Sequence, residues 1–424
     1  MQFQAVKGTR DFYPENMRLR NWIADAWRRV SLRNGFEEFD SPIFEYLDLF
    51  TAKSGQEIAE QLFSLTDRGG RQLAIRPEIT PALARMVNAR INALPRPIKW
   101  FSIPRLCRAE NPQKGRLREF FQWNVDVIGA DDVQADGECV FTCVDLLREL
   151  GLGPGDAQVR IGSRALVTAA LDAIGASPEA RDKALPVLDR RRKIDPDSFR
   201  QQVLAAGLTD EQFGRIESVL SAESIDQARR LVTDGAAASA LDELDRLWGV
   251  LRAMGVAESC RLDLSVVRGL AYYTGIVYEA FDAGQSLRAL AGGGRYDNLL
   301  EVLGGPKVGA CGFGMGDVVL GILLEEKGKL PPELRTRRVE FFVIDGEPAQ
   351  RQAVLETVAR LRQAGQSAEF SYKADSLGKQ LKEANRRGAR QAIIVKPQGL
   401  AVKDLTTGQQ RDVTLDELLS AARA

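Results

Sequence analysis

Two stretches of this 424-residue chain hold residue types that could handle phosphate chemistry. The first, Ile103–Gly129, reads IPRLCRAENPQKGRLREFFQWNVDVIG. It opens apolar, passes through a loop dense in Arg and Lys, and leaves as an alternating strand. A period of two puts Phe121, Trp123 and Val125 on one face and Gln122, Asn124 and Asp126 on the other. The second stretch, VVRGLAYYTG, places Arg268 and the pair Tyr272 and Tyr273 after an apolar run. A guanidinium fork grips phosphate oxygens at two points and stays charged. A basic loop with amide and carboxylate side chains beside it therefore suits a polyanion lying next to a small polar ligand.

Composition narrows the chemistry. The chain contains no histidine, which removes Ser-His-Asp and Cys-His nucleophiles, imidazole metal ligands and imidazole bases. Proton transfer is left to a carboxylate, Tyr, Lys or the substrate. The five cysteines (Cys107, Cys139, Cys143, Cys260, Cys311) form no CxxC pair, so neither a zinc site nor a disulfide framework is expected. Cys139 and Cys143, four apart, are expected to share a buried helical face. Lys+Arg and Asp+Glu are both 58, so nucleic-acid contact must come from local patches. The N-terminus has no apolar core flanked by basic residues, and no run of about 18 apolar residues occurs. A soluble, cytoplasmic protein of two or three domains, with no membrane partner, is expected.

The elements that position these residues can be read in outline. A helix is expected from Met17 to about Leu32, ended by Gly35, then a short strand and Ser41-Pro42 at a strand end. Glu60–Thr66 and Gln72–Arg76 read as a hairpin turned by Asp67-Arg68-Gly69-Gly70. Helices fit Pro81–Ile91, just after RPEIT, and Cys139–Leu150, stopped by Gly151. Residues of about 162–255 are Ala-, Leu-, Arg- and Asp-rich with helical periodicity and few strand formers, as in a helical insertion. Strands return at Arg261–Leu264 and run through Tyr278; AGGGRYDNLL and the glycine-rich strand and helix VGACGFGMGDVVLGIL follow. Leu330-Pro331-Pro332 marks a linker. The final segment alternates strand and helix (VEFFVI, Gln350–Ala364, SAEFSY, Leu377–Arg387, QAIIV), a small sheet packed by helices. Arg386, Arg387 and Arg390 cluster at a helix end there, which fits either the helix dipole or RNA contact.

Six motifs in order, KGTRDFYP, RPEIT, RAENPQKGRLREFFQ, VRGLAYYTG, AGGGRYD and GFGMG, with a C-terminal ADSLGKQLKEANRRGARQAIIV, give the chain its resemblance to the histidyl-tRNA synthetase family of class II. VRGL-x-YY is the most discriminating of them. The resemblance implies an α+β catalytic domain on a mainly antiparallel sheet over residues 1–328, with the helical insertion at about 165–255. A linker at 329–336 and an α/β anticodon-binding domain at 337–424 would follow. It also implies a homodimer with the Met17–Pro42 region at its interface, and tRNA(His) as partner. The reaction would be activation of histidine with ATP, then transfer of the histidyl group to the tRNA.

The resemblance further assigns roles. Arg108 and Arg268 would flank the α-phosphate of ATP and stabilise the charge that builds there. Glu78 and Thr80 would receive the ammonium group of histidine, Gln122 the bound amino acid, Asp126 the imidazole N–H, and Tyr272 and Tyr273 would line the imidazole pocket. Arg116, Gly314 and Gly316 would lie against ATP, and Gln113, Lys114 and Arg118 would meet the tRNA acceptor end, unless that loop is simply solvated. No protein metal site is expected, but ATP chemistry implies Mg²⁺, with Glu110 and Glu119 as candidate helpers.

The chain departs from the family pattern at three points. Val319 stands where motif 3 usually has an arginine that holds the ATP tail, so another cation, Arg116 or Arg295, would take over. Ala271 and Ile79 replace a frequent Asp and Gly, and both are expected to affect packing. Two other readings compete: a synthetase-like regulatory subunit of ATP phosphoribosyltransferase, and a class II synthetase for another amino acid. The C-terminal domain and the paired arginines argue against the first; VRGLAYY and the lack of a Cys/His zinc set argue against the second.

Overall fold

The computed structural model describes residues 3–52, 61–192, 194–232, 234–268, 272–335, 339–373 and 375–421. Ala271 and the linker residue at 336 therefore lie outside the described residues. Contacts divide the chain into one compact unit, Met1–Phe12 with Leu19–Lys329, and a second, Tyr13–Arg18 with Leu330–Ala424.

The first helix runs Pro14–Arg33, three residues earlier than the apolar periodicity suggests. Pro14 has no amide for the first turn to orphan, and Glu15 complements the positive end of the helix dipole. Its buried face carries Trp27, which stacks on Trp123 at 6.3 Å, and Ser31, whose Oγ accepts from Trp123 Nε1 at 2.8 Å. Gly35, at φ +77°, ends it.

Twelve strands follow among the described residues of the first unit: β1 (Glu37–Glu38), β2 (Phe44–Tyr46), β3 (Phe63–Thr66), β4 (Gln72–Ile75), β5 (Ile98–Ser102), β6 (Arg105–Cys107), β7 (Glu119–Ile128), β8 (Ala157–Ser163), β9 (Cys260–Leu262), β10 (Ile276–Asp282), β11 (Ala291–Arg295) and β12 (Ala310–Gly316). The main sheet has the order β1-β5-β7-β12-β11-β10-β8-β9, with β6 also on β7. Only β1–β5 and β8–β9 pair in parallel, so the sheet is mainly antiparallel. A separate sheet, β2-β4-β3, contains the hairpin. Its registers place Phe44, Ile75 and Phe63 in one row and Tyr46, Leu73 and Leu65 in the next, so one face carries six apolar side chains. Phe44, Tyr46 and Leu65 are 54%, 57% and 44% exposed.

The described residues between β8 and β9 form six helices, from Arg164–Ala173 to Gly235–Ala253. Each begins with a side chain that accepts a backbone amide: Ser163, Ser177, Asp195, Thr209, Ser224 and Asp234. Such caps contribute about 1 kcal/mol each, which explains why so polar a segment stays helical. The other two expected helices appear as Thr80–Asn88 and Gln134–Glu149. Cys139 and Cys143 are buried, and all five cysteines are free.

One expected strand is broken. β9 stops at Leu262 because the Asp263 carboxylate accepts from both the amide and the hydroxyl of Ser265, a local turn that competes with the ladder. The described residues of the VVRGLAYYTG stretch, 266–268 and 272–275, consequently lie outside any strand, and Arg268 sits at φ +62°.

The second unit holds a five-stranded sheet, β14 (Ala368–Phe370), β13 (Val339–Asp345), β15 (Ala389–Lys396), β16 (Gly399–Asp404) and β17 (Gln410–Val413), in that order. The first three are parallel, with helices Arg351–Gln363 and Leu377–Arg386 packed on them. The antiparallel β16–β17 pair is an addition to the expected pattern; its short, charged strands carry little periodic signal. Acids accompany the basic cluster: Arg387 pairs with Glu383 and Glu369, and Arg390 with Glu340. No helix among the described residues is long and apolar enough to cross a membrane.

Candidate active site

The polar face of β7 lies beside β12, where Gly312 pairs with Asp126, Gly314 with Asn124 and Gly316 with Gln122. Two of these glycines are steric requirements. A Cβ on Gly314 would lie 1.7 Å from Gln122 Nε2, and one on Gly312 would lie 2.4 Å from Asp126 Oδ1. On β11, a Cβ at Gly292 would come within 2.3 Å of Arg268 Nη1. Side chains from β7 and from the loop before β10 thus lie flat across bare backbone.

Two adjoining cavities open over this floor. The smaller, of about 410 Å³, is lined by Glu78, Thr80, Gln122, Asp126, Tyr272 and Tyr273, together with Asn124 and Tyr296. The larger, of about 790 Å³, is lined among others by Arg108, Glu110, Arg116, Gly314, Gly316 and Val319. Arg108, Gln122, Arg268, Gly292 and Gly314 belong to both. All the residues assigned to the amino acid and to ATP therefore meet in one cleft.

The smaller cavity is rich in acceptors. The Tyr272 hydroxyl donates to Glu78 Oε2 at 2.9 Å, and Tyr296 donates to Asp126 Oδ1. Glu78 Oε1, Gln122 Oε1, Asn124 Oδ1 and Asp126 Oδ2 are buried without a hydrogen-bond partner among the described residues. Buried polar atoms are rarely left unpaired, so four such acceptors around one cavity call for a ligand dense in donors. The tyrosine pair is not a strand pair, whose side chains would point to opposite faces. On its loop the two rings pack 5.0 Å apart at 49°, and both line the cavity.

Burial raises the Glu78 carboxyl, against the opposing pull of Arg108 and Tyr272. Burial also pushes Asp126 up to about 7, with Tyr296 working against the shift and Glu78 adding to it. The folded carboxyl keeps its proton to higher pH than the unfolded one, so folding takes up a proton between about pH 4 and 7, and stability declines through that window as pH rises. Asp126→Asn should flatten the fall in melting temperature of the ligand-free protein between about pH 4 and 7. An unchanged slope would show that Asp126 does not titrate there.

The two arginines are held from different sides. Arg108 Nε donates to the Pro77 carbonyl at 3.0 Å, and its guanidinium lies 5.4 Å from the Phe120 ring centre. The Arg268 amide donates to Asp189 Oδ1 at 2.8 Å, its carbonyl accepts from Arg164 Nη1 at 2.8 Å, and its guanidinium pairs with Glu279. Burial opposes the charge on Arg268, but Glu279, with Tyr273 and Asp189, more than offsets this and holds it above the ordinary range.

Some sequence expectations need correction. Arg295 cannot serve an ATP tail: it is buried in an ion pair with Asp136 and bonds to Asp297 and the carbonyls of Ala130 and Asp132. Glu119 pairs with Arg105 at 2.9 Å and does not line either cavity. Gln113 and Lys114 are exposed at the turn of the basic loop, while Arg118 folds inward, its Nε donating to the Glu110 carbonyl at 2.9 Å. Ile79 is fully buried, as a packing role requires. Sequence reasoning missed Tyr296 and Glu279, which orient Asp126 and Arg268. The RYD triplet next to the glycine run was the signal for the first; the second depends on sheet register.

The family profile described as Histidyl-tRNA synthetase matches residues 8–316, and that described as Anticodon binding domain matches residues 340–424. A histidine–tRNA ligase of Opitutus terrae is 39% identical, with 99% of this chain and 98% of the relative covered. The chain belongs to the histidyl-tRNA synthetase family. A second family member, the histidine–tRNA ligase of Thermoplasma volcanium, is 36% identical over 99% of this chain and 98% of its own. In fold the chain resembles the histidyl-tRNA synthetase structure from Nostoc sp. PCC 7120, with TM-score 0.83, 23% identity and coverage of 100% and 99%. The class II catalytic architecture and the C-terminal mixed α/β domain are those expected of the family. The match at residues 340–424 also separates the chain from the regulatory-subunit reading, since such regulators typically lack that domain.

Proposed function

We infer that this histidine–tRNA ligase binds histidine in the smaller cavity and ATP in the larger, with the reacting atoms at their shared wall. Four unpartnered acceptors around a small cavity, next to two guanidiniums, carry this reading. Histidine supplies matching donors: its ammonium for Glu78 and Thr80, and an imidazole N–H for Asp126, with Gln122 on the same face. A competitor without those donors leaves buried acceptors unpaired, a penalty worth about 10⁴–10⁵ in discrimination at comparable sites.

Histidine arrives with its carboxylate already ionised, so the first step needs no protein base. A carboxylate oxygen attacks the α-phosphorus, the bond to the bridging oxygen breaks, and pyrophosphate leaves. Arg108 and Arg268 hold the non-bridging oxygens from two sides, keep the attack in line and stabilise the charge that accumulates there. The terminal ribose hydroxyl of tRNA(His) then takes the histidyl group and AMP leaves. In this reading Gln113 and Lys114 meet the acceptor end, and the C-terminal unit binds the anticodon. Mg²⁺ would ride mainly on the phosphates, with Glu110 as the carboxylate on the cavity wall; the described residues contain no cluster of three or more acidic or thiol ligands. Mg²⁺ usually binds this way, through substrate phosphates and few carboxylates.

ATP–pyrophosphate exchange measured with each amino acid in turn tests the assignment. Histidine alone should support exchange, and tRNA(His) should then be charged. Exchange with another amino acid, or none at all, would overturn it.

The assembly is a homodimer in this reading. The apolar face of β2-β4-β3 supports it, because exposed apolar patches of this kind mark association surfaces. Phe44→Asp with Tyr46→Asp should convert the sedimenting species from dimer to monomer; identical sedimentation would put the interface elsewhere. A cytoplasmic setting fits the five unpaired cysteines.

A further inference from the structure

We propose that Arg288 is the cation that holds the outer phosphates of ATP at the mouth of the larger cavity. The proposal rests on the reading of that cavity as the ATP site. Of the guanidiniums lining it, Arg116 is paired with Glu110 and Arg268 with Glu279. A triphosphate brings more negative charge than that balance can meet. The facing wall, with Leu290, Val318 and Val319, is apolar and offers the phosphates nothing.

Arg288 stands at that wall. The four residues after it, Ala289 to Gly292, line the cavity, so the chain descends into the site directly from Arg288. Its stem packs on the tip of the basic loop. A Cβ built on Gly115 would meet Val319 Cγ2 at 3.2 Å and Arg288 Cδ and Cγ at 3.8 and 3.9 Å. Gly115, at φ +78°, turns the loop there, and reciprocal amide bonds between Gln113 and Arg116, both 2.9 Å, close it. Val319 and the Arg288 stem thus bracket one turn at the cavity rim. The guanidinium is exposed, and Nη1 donates to Gln113 Oε1 at 3.3 Å. That is a long bond to a neutral amide, which leaves the charge available to an anion. With the α-phosphate between Arg108 and Arg268, β- and γ-phosphates that extend toward the Gly115–Arg116 turn come within reach of the Arg288 guanidinium packed on that turn. A fixed fork suits this duty, because it binds two phosphate oxygens at once.

Arg288→Ala and Arg288→Lys in the full-length protein test the assignment. In histidine-dependent exchange the Ala variant should raise KM for ATP by about tenfold or more, the Lys variant by less, and KM for histidine should stay within about twofold. Direct binding should show ATP weakened and AMP, which lacks the outer phosphates, unaffected. A residue that merely braces the turn would weaken AMP as well, so parallel loss of both nucleotides overturns the proposal. So does an unchanged KM for ATP, or a rise confined to KM for tRNA, which would give Arg288 to the acceptor end. Absence of histidine-dependent exchange in the unaltered protein would instead remove the ATP-site reading itself.

Discussion

Arg268→Gln should lower kcat for histidine-dependent pyrophosphate exchange by about 10²–10³-fold, the usual loss when one fixed donor to a developing charge is removed. KM for both substrates should change far less. Such a split is expected because Arg268 is immobilised before substrate arrives: its backbone is pinned by Asp189 and Arg164, its guanidinium by Glu279, and it lies on the bare backbone of Gly292. No reorganisation is needed as charge builds at phosphorus, so its stabilisation appears in the transition state rather than in binding. Glutamine keeps a donor but loses the charge and leaves Glu279 buried without its cation. Arg268→Gln with Glu279→Gln removes that second problem. The double variant should melt close to the unaltered protein and remain inactive; recovery of activity in it would assign the single variant's loss to misfolding around Glu279.

Gly314→Ala should raise KM for histidine about 10- to 100-fold. A methyl group there would sit 1.7 Å from Gln122 Nε2, and 2.7 Å from Cδ. Overpacking a filled site costs roughly 1–3 kcal/mol, and here the displaced side chain is one that lines the smaller cavity. Gly321 is the matched control: it lies within the helix Asp317–Glu326 with nothing within 4 Å of a built Cβ. Gly321→Ala should stabilise the fold by about 0.5–1 kcal/mol, as alanine does in a helix interior, and leave KM unchanged. If Gly314→Ala binds histidine as well as the Gly321→Ala control does, Gln122 has no contact with the amino acid.

The parts of this site that were legible in the sequence are those set by local periodicity. Alternation alone put Gln122, Asn124 and Asp126 on one face of β7, and the Ala- and Leu-rich segment announced its helices. Motif resemblance added Glu78, Thr80, Arg268 and the tyrosines. What stayed hidden depends on contacts across the sheet. Glu78 meets Tyr272 from nearly two hundred residues away, and Glu279 reaches Arg268 only because β10 lies beside β11. Arg295 looked as able to bind phosphate as any other arginine, because nothing in its neighbourhood along the chain reveals Asp136. The break after Leu262 was likewise invisible: the Asp263 carboxylate decides it, and a strand pattern tolerates Asp at an end.

The three bare positions beneath the ligand set a direction for any change of substrate. Hydrogen is already the smallest group a residue can carry, so the underside of the cavity has nothing left to trim. A variant that accepts a bulkier amino acid has to gain its room from Tyr272, Tyr273 or Tyr296. Every such change also releases a carboxylate, or shifts the ring packed on Arg268. Broadening the diet of this protein therefore begins by loosening the groups that orient its charges.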